Sequence, residues 1–265
     1  MKRVNPFDYF QMGWAVHGLI DLKADSTVGD NFLPLYYSRQ WMDYLLGSPS
    51  VPVRVSRSAC AELRRIVTEY MPANATAETY KNVLSQVDVY MIGEAAKTVE
   101  TIIGAELQTT DTYYLDQKGA FSTPDLIERA EIVFSEGTRK QLSDGAVSDI
   151  RQSGRALALD LPTAAGFHIM RATESVVRDY YKVVTGRAPK SRTWGYYVRG
   201  LKDHNADAKV VAAIDQLRDL HRNPLMHPQA VLEEDEAVSL FGMAQSAIST
   251  MVADMARRAA ATKTP

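Results

Sequence analysis

Cysteine is nearly absent, with Cys60 the only one in 265 residues. One thiol forms no internal disulfide and no zinc site that needs two or more thiolates. Cys60 sits in Ser58-Ala59-Cys60-Ala61-Glu62-Leu63, the first turn of an expected helix, where a small buried hydrophobe outweighs a nucleophile. Long apolar runs are also missing: nothing approaches the roughly 18 consecutive apolar residues of a membrane span. The opening Met1-Lys2-Arg3-Val4-Asn5-Pro6-Phe7-Asp8 breaks with a proline and an aspartate where a signal peptide needs an unbroken apolar stretch. A cytoplasmic protein with no membrane partner is expected. The formal net charge is only -2, so any nucleic-acid contact must come from a local patch. Phosphate-cradling glycine loops, His-Glu-x-x-His and Gly-x-Ser-x-Gly are all lacking. Asp219, His221 and His227 offer no clear further ligand for a metal, so neither metal nor cofactor is expected.

What the chain does have is helical periodicity. Leu63, Ile66, Val67 and Tyr70 recur at helical spacing before Pro72. A longer helix is expected over 76–108, with Tyr80, Leu84, Val87, Met91, Ala95, Thr98 and Ile102 on its inward stripe. Residues 1–55 are more broken, and short helices are the reading there. Thr112-Tyr113-Tyr114-Leu115 ahead of Gly119 suggests a short strand or β-hairpin. Thr123-Pro124 then reads as an N-cap and first helical residue.

The C-terminal half is more regular. A helix from Pro162 to Val184 places Ala165, His168, Ala172, Val176, Tyr180 and Val183 on one side, and Gly186 stops it. A second spans about 206–222, with Val210, Ile214 and Leu217 inward. A third runs from Glu234 to Arg258 with Ala237, Phe241, Ala244, Ile248, Met251 and Met255 inward. Further helical pieces over 139–157 and 191–202 complete a bundle. The expected fold is mainly α, with a helical N-terminal region over 1–145 and a helical bundle over 146–265.

Between the second and third helices lies Asp219-Leu220-His221-Arg222-Asn223-Pro224-Leu225-Met226-His227-Pro228. Pro224 has no N–H and disfavours helical geometry before it, so the helix should end near Arg222 or Asn223. Arg222, Asn223 and His227 in this spacing, at a junction of two bundle helices, resemble the Arg-Asn-x-x-x-His signature of HEPN (higher eukaryotes and prokaryotes nucleotide-binding) ribonucleases. The resemblance covers roughly residues 150–260. It extends to Arg171 and Glu174 in Gly166-Phe167-His168-Ile169-Met170-Arg171-Ala172-Thr173-Glu174, which is similar to the Arg-x-x-Glu helix of bacterial members. It implies metal-independent RNA cleavage at a site shared across a homodimer, often in stress or phage defence, with a regulatory protein partner conceivable. The chemistry is coherent: imidazole moves protons near neutral pH, and the arginine fork binds phosphate and stabilises developing charge. Arg222, His227 and Asn223 are the candidate catalytic residues, with Arg171 and Glu174 supporting.

Structural readings stand beside these. Arg222 could cap a helix carbonyl end. His221 and His168 continue apolar stripes and read as core histidines. Arg171 and Glu174 could be a local ion pair. Residues 182–202 carry Lys182, Arg187, Lys190, Arg192, Arg199 and Lys202 with no acid, beside Trp194, Tyr196 and Tyr197. Lys190, Arg192, Trp194 and Arg199 are candidates for single-stranded RNA binding, by phosphate pairing and base stacking. The alternative is a solvated segment whose aromatics close the bundle. Two functions therefore compete: an endoribonuclease, and a non-catalytic HEPN module for dimerisation or for nucleotide or partner binding.

Overall fold

The structure, a computed structural model, describes residues 5–47, 53–191, 193–222, 227, 229 and 231–261, with the side chains of His221 and Arg222 outside that description. The described residues form eleven α-helices and no strand, so the fold is mainly α-helical as expected. The chain divides into two compact units, residues 1–113 and 114–265. The expected division at 145/146 lies further along the chain. The cause is visible in the second unit's core, where Leu126, Ala130 and Phe134 pack among its later helices.

The first unit holds α1 (Pro6–His17), α2 (Phe32–Gly47), α3 (Arg57–Tyr70) and α4 (Gln86–Gln108). Helix α3 matches its expected span, and Cys60, Leu63, Ile66 and Val67 are its buried face. Burial pushes the Cys60 thiol up to about 11, which removes it as a nucleophile. Helix α4 starts later than expected because Ser85 and Asp88 form a capping box, with the Asp88 carboxylate accepting from the Ser85 amide at 2.8 Å. Residues just before it are extended instead. The Val28 amide donates to the Asn82 carbonyl at 2.8 Å and the Leu84 amide to Ser26 at 2.9 Å, so their polar groups are satisfied without a helix. The inward face of α4 is Ile92, Gly93, Ala96, Val99 and Ile103, while Val87 and Met91 of the expected stripe are exposed.

The second unit comprises α5 (Thr123–Arg129), α6 (Glu136–Arg139), α7 (Asp144–Ala158), α8 (Pro162–Thr185), α9 (Trp194–Asp203), α10 (Ala208–Leu217) and α11 (Glu234–Ala261). The 112–121 segment forms no strand: Tyr113 and Tyr114 are exposed, and only a single bridge joins Lys118 and Phe121. β-Branched and aromatic residues favour strands where a pleated, half-buried surface awaits them, and none does here. Helix α5 begins at Thr123 with Pro124 in its first turn. It lies close on α7, where a Cβ at Gly154 would fall 2.6 Å from the Leu126 carbonyl oxygen.

Helices α7, α8 and α11 form the centre of the bundle. Helix α8 opens on Pro162 and closes on Gly186, whose φ of 68° is the left-handed cap that glycine adopts freely. Its Ala165, Ala172, Val176 and Tyr180 are buried as expected, whereas Val183 is exposed. The expected inward stripes of α10 and α11 are buried throughout. Across the bundle, the Tyr180 hydroxyl donates to buried Asp254 at 2.7 Å, and Arg258 pairs with the same carboxylate at 2.7 Å.

Candidate functional site

The signature lies where the chain leaves α10. Helix α10 passes at Leu217 into a π-helical turn, Arg218–Arg222, that ends on the signature arginine. Single π turns are uncommon and occur often at functional sites, because the extra residue per turn re-aims the side chains that follow. Arg218 fastens this turn. Its guanidinium meets both oxygens of Asp219 at 2.9 and 3.0 Å and also lies 2.9 Å from Asp215. Of the signature itself, His227 is exposed. Asn223 and residues 224–226 lie outside the described residues, as does the side chain of His221, expected in the core.

The return from the signature to α11 is also anchored. The Leu232 amide donates to the Thr163 hydroxyl, in the first turn of α8, at 3.1 Å. The Glu233 amide donates to Glu236 at 3.0 Å. Glu234 accepts from Lys118 at 2.8 Å, and the same ammonium pairs with Asp160. The Lys118 side chain is only 2% exposed, and hydrogen bonds to Asp160 and Glu234 raise its pKa. A buried ammonium is costly unless paired, so this clasp ties the start of α11 to the α7–α8 turn. Asp160 takes φ of 55° in that turn. The signature segment thus runs between two fixed ends, a π turn and a clamped helix start.

The supporting residues separate. Glu174 accepts from the indole N–H of Trp194 at 2.9 Å. Arg171 lies 3.5 Å from Asp149, which also bonds His168 Nδ1 at 2.9 Å. His168 is therefore half-buried and paired to a carboxylate rather than sunk in the apolar core. Glu174 and the signature turn do share a neighbourhood through the start of α9. Trp194 bonds Glu174, and the next residue, Gly195, has its Cβ position 3.8 Å from Arg218 Nη1.

The basic stretch resolves differently for its cations and its rings. Lys190 and Arg199 are exposed, and Arg192 lies outside the described residues. Trp194 is 2% exposed and Tyr197 is fully buried. Tyr196 lies beside Tyr181, ring centroids 5.6 Å apart. Trp194 as a base-stacking platform is therefore corrected: its faces are taken up by the core and its N–H by Glu174. The aromatics close the bundle, and what stays available to a polyanion is the exposed lysine and arginine side chains.

Sequence reasoning did not find Asp149, Lys118 or the π turn. Asp149 and Lys118 gain meaning only from partners on other elements, and no local spacing marks them. In the sequence Pro224 marks a helix end near this point, but nothing there marks the π form of the turn. Comparison with family models, with curated proteins and with solved structures finds no match. Among the described residues no cluster of three or more metal-binding side chains occurs, and no helix is long and apolar enough to cross a membrane.

Proposed function

We propose that this chain is a metal-independent endoribonuclease of HEPN type, acting on single-stranded RNA. The observation that carries the reading is the Arg222-Asn223-x-x-x-His227 signature leaving a π-helical turn at the junction of two bundle helices. His227, exposed, takes the proton of a ribose 2′-hydroxyl or returns one to the departing 5′ oxygen. The 2′ oxygen attacks the adjacent phosphorus as the P–O5′ bond breaks, leaving a 2′,3′-cyclic phosphate and a 5′-hydroxyl. Arg222 holds the phosphate and stabilises the charge that builds on its oxygens. Asn223 orients the ribose, the phosphate or His227. One such corner offers one proton-transfer group, while the reaction uses a base and an acid. A homodimer through the C-terminal bundle supplies both, since a two-fold axis sets the same patch of each subunit face to face. A role in stress or phage defence accords with the bacterial proteins it resembles.

Burial of Trp194 and Tyr197 favours a second reading, a non-catalytic HEPN module for dimerisation or for nucleotide or partner binding, because it removes the stacking surface an RNA channel uses. The purified chain incubated with single-stranded RNA in EDTA separates the two. Products ending in 2′,3′-cyclic phosphate, lost when the scissile ribose is 2′-deoxy, support the nuclease. Intact RNA supports the module.

A further inference from the structure

The π turn after α10 changes which residue follows the line of that helix's buried stripe. Each residue of an unbroken α-helix advances about 100° around the axis, so residue 221 would stand over Leu217 and continue from Ile214. A π turn closes from i to i+5 instead of i to i+4, so over Arg218–Arg222 it is residue 222 that takes this place. Ile214 and Leu217 are buried, and the form of the turn therefore decides whether position 221 or position 222 follows the bundle-facing line. Arg218 opens the turn. Its Nε donates to Asp219 Oδ1 at 2.9 Å and its Nη2 to Oδ2 at 3.0 Å. Nη2 also lies 2.9 Å from one oxygen of Asp215, and the other oxygen accepts from Lys202 of α9 at 3.2 Å.

We propose that Arg218 is a positioning residue, whose fork onto Asp219 holds the π register and so sets position 222, rather than 221, over Leu217. Asp215 stands three residues before Arg218 and neighbours it in an α turn as well, so that contact favours neither register. Asp219 is different. Adjacent residues of an α-helix point about 100° apart and do not face one another, yet this pair shares two hydrogen bonds. The fork is therefore made in the π turn and strained or lost in an α turn, and only such a difference shifts an equilibrium between the two. An exposed ion pair carries little, but a bidentate guanidinium–carboxylate pair is the strong kind, and the Arg218 side chain is only 25% exposed. Lys202 holds Asp215 from α9 and braces the same turn from outside its own helix. A return to the α register would swing position 222 by about 100°, or about 8 Å at the outer surface of the helix. Misplacements far smaller than that cost about 10²-fold in rate. The inference rests on the ribonuclease reading for what Arg222 does, and on the turn alone for where residue 222 stands.

The test reads the position of residue 222 directly. Cys60 is buried, so nitroxides attach selectively to Arg222→Cys paired with Lys209→Cys or with Ser246→Cys, both exposed positions, in the full chain. Electron–electron distances are measured with native Arg218 and Asp219, and then with Arg218→Met, Arg218→Lys or Asp219→Asn. Lysine keeps the charge and the neighbour at Asp215 but has no fork, so a merely electrostatic role would tolerate it. Asp219 is exposed, and its replacement leaves the core intact. Each of the three substitutions should move at least one distance by several ångströms with helicity unchanged. In the unlabelled chain with native Arg222, each should lower kcat for RNA cleavage about 10²-fold with KM little changed. Unmoved distances in Arg218→Met and Asp219→Asn would overturn the proposal, as would Arg218→Lys matching the native chain, or moved distances with kcat unchanged. Should the wild-type chain cleave no RNA, the ribonuclease reading falls by itself and the distances alone decide the role of Arg218, moved distances upholding it and unmoved ones ending it.

Discussion

Glu106→Gln should loosen the start of α3 more than any other neutral replacement on the face of α4. The Glu106 carboxylate, near the end of α4, accepts from the Val55 and Ser56 amides at 3.0 Å each, and also from the Arg54 amide and the Ser56 hydroxyl. It thereby satisfies three successive backbone N–H groups of the segment that leads into α3, the last of them at the N-cap Ser56, and sits near the positive end of the α3 dipole. Burial alone would raise its pKa, yet the hydrogen bonds from Ser56, Arg54 and Val55 prevail and hold it at about 2, against an ordinary 4.5. By linkage such a shift corresponds to roughly 3 kcal/mol, and partial exposure reduces it to about 2 kcal/mol. Glutamine keeps the shape but turns an NH₂ toward those donors. At neutral pH the amide hydrogens of α3 should therefore exchange about 30-fold faster in the variant, which is what about 2 kcal/mol amounts to. The pH dependence has a definite sign. A carboxylate whose folded pKa is lowered gives its full stabilisation above its ordinary pKa of 4.5 and loses it as pH falls toward 2. Wild type and variant should converge in acid. Equal exchange at neutral pH, or a difference that persists unchanged at pH about 2, would refute the reasoning.

Gly154→Ala should destabilise the second unit by about 1–3 kcal/mol, because the added methyl meets the Leu126 carbonyl oxygen at 2.6 Å and α5 must shift from α7. A melting temperature equal to wild type would contradict the close packing of those helices. Replacing Lys190, Arg192 and Arg199 by alanine should weaken single-stranded RNA binding and flatten its salt dependence by about 0.7 log units per lost phosphate contact. An unchanged slope would assign these cations to solvent alone.

How far the sequence reaches can be judged element by element. Helices α8, α10 and α11 were legible because each carries one apolar stripe and clear punctuation: Pro162, Gly186 and the Pro224 break. Helix α4 was legible as a helix but read with the wrong face. Val87, Tyr90 and Met91 form a second apolar stripe beside Ile92, Ala96 and Val99, and periodicity alone cannot choose between two stripes on one cylinder. Trp194 shows the corresponding limit for the site. An aromatic among cations satisfies an RNA-binding pattern and a bundle-closing role equally, and the burial of the Trp194 ring with its hydrogen bond to Glu174 distinguishes them. Lys118 and Glu106 act on partners far along the chain, so no local motif announces either clasp.

The central claim rests on the imidazole of His227. Its most direct test is the rate of RNA cleavage, in EDTA, by purified wild type and His227→Ala prepared side by side. Because His227 is exposed, the variant should keep wild-type helicity and melting temperature. Loss of general acid–base catalysis should lower its cleavage rate by about 10² to 10⁴. Wild type and variant cleaving at the same rate, or neither cleaving RNA at all, would contradict the account.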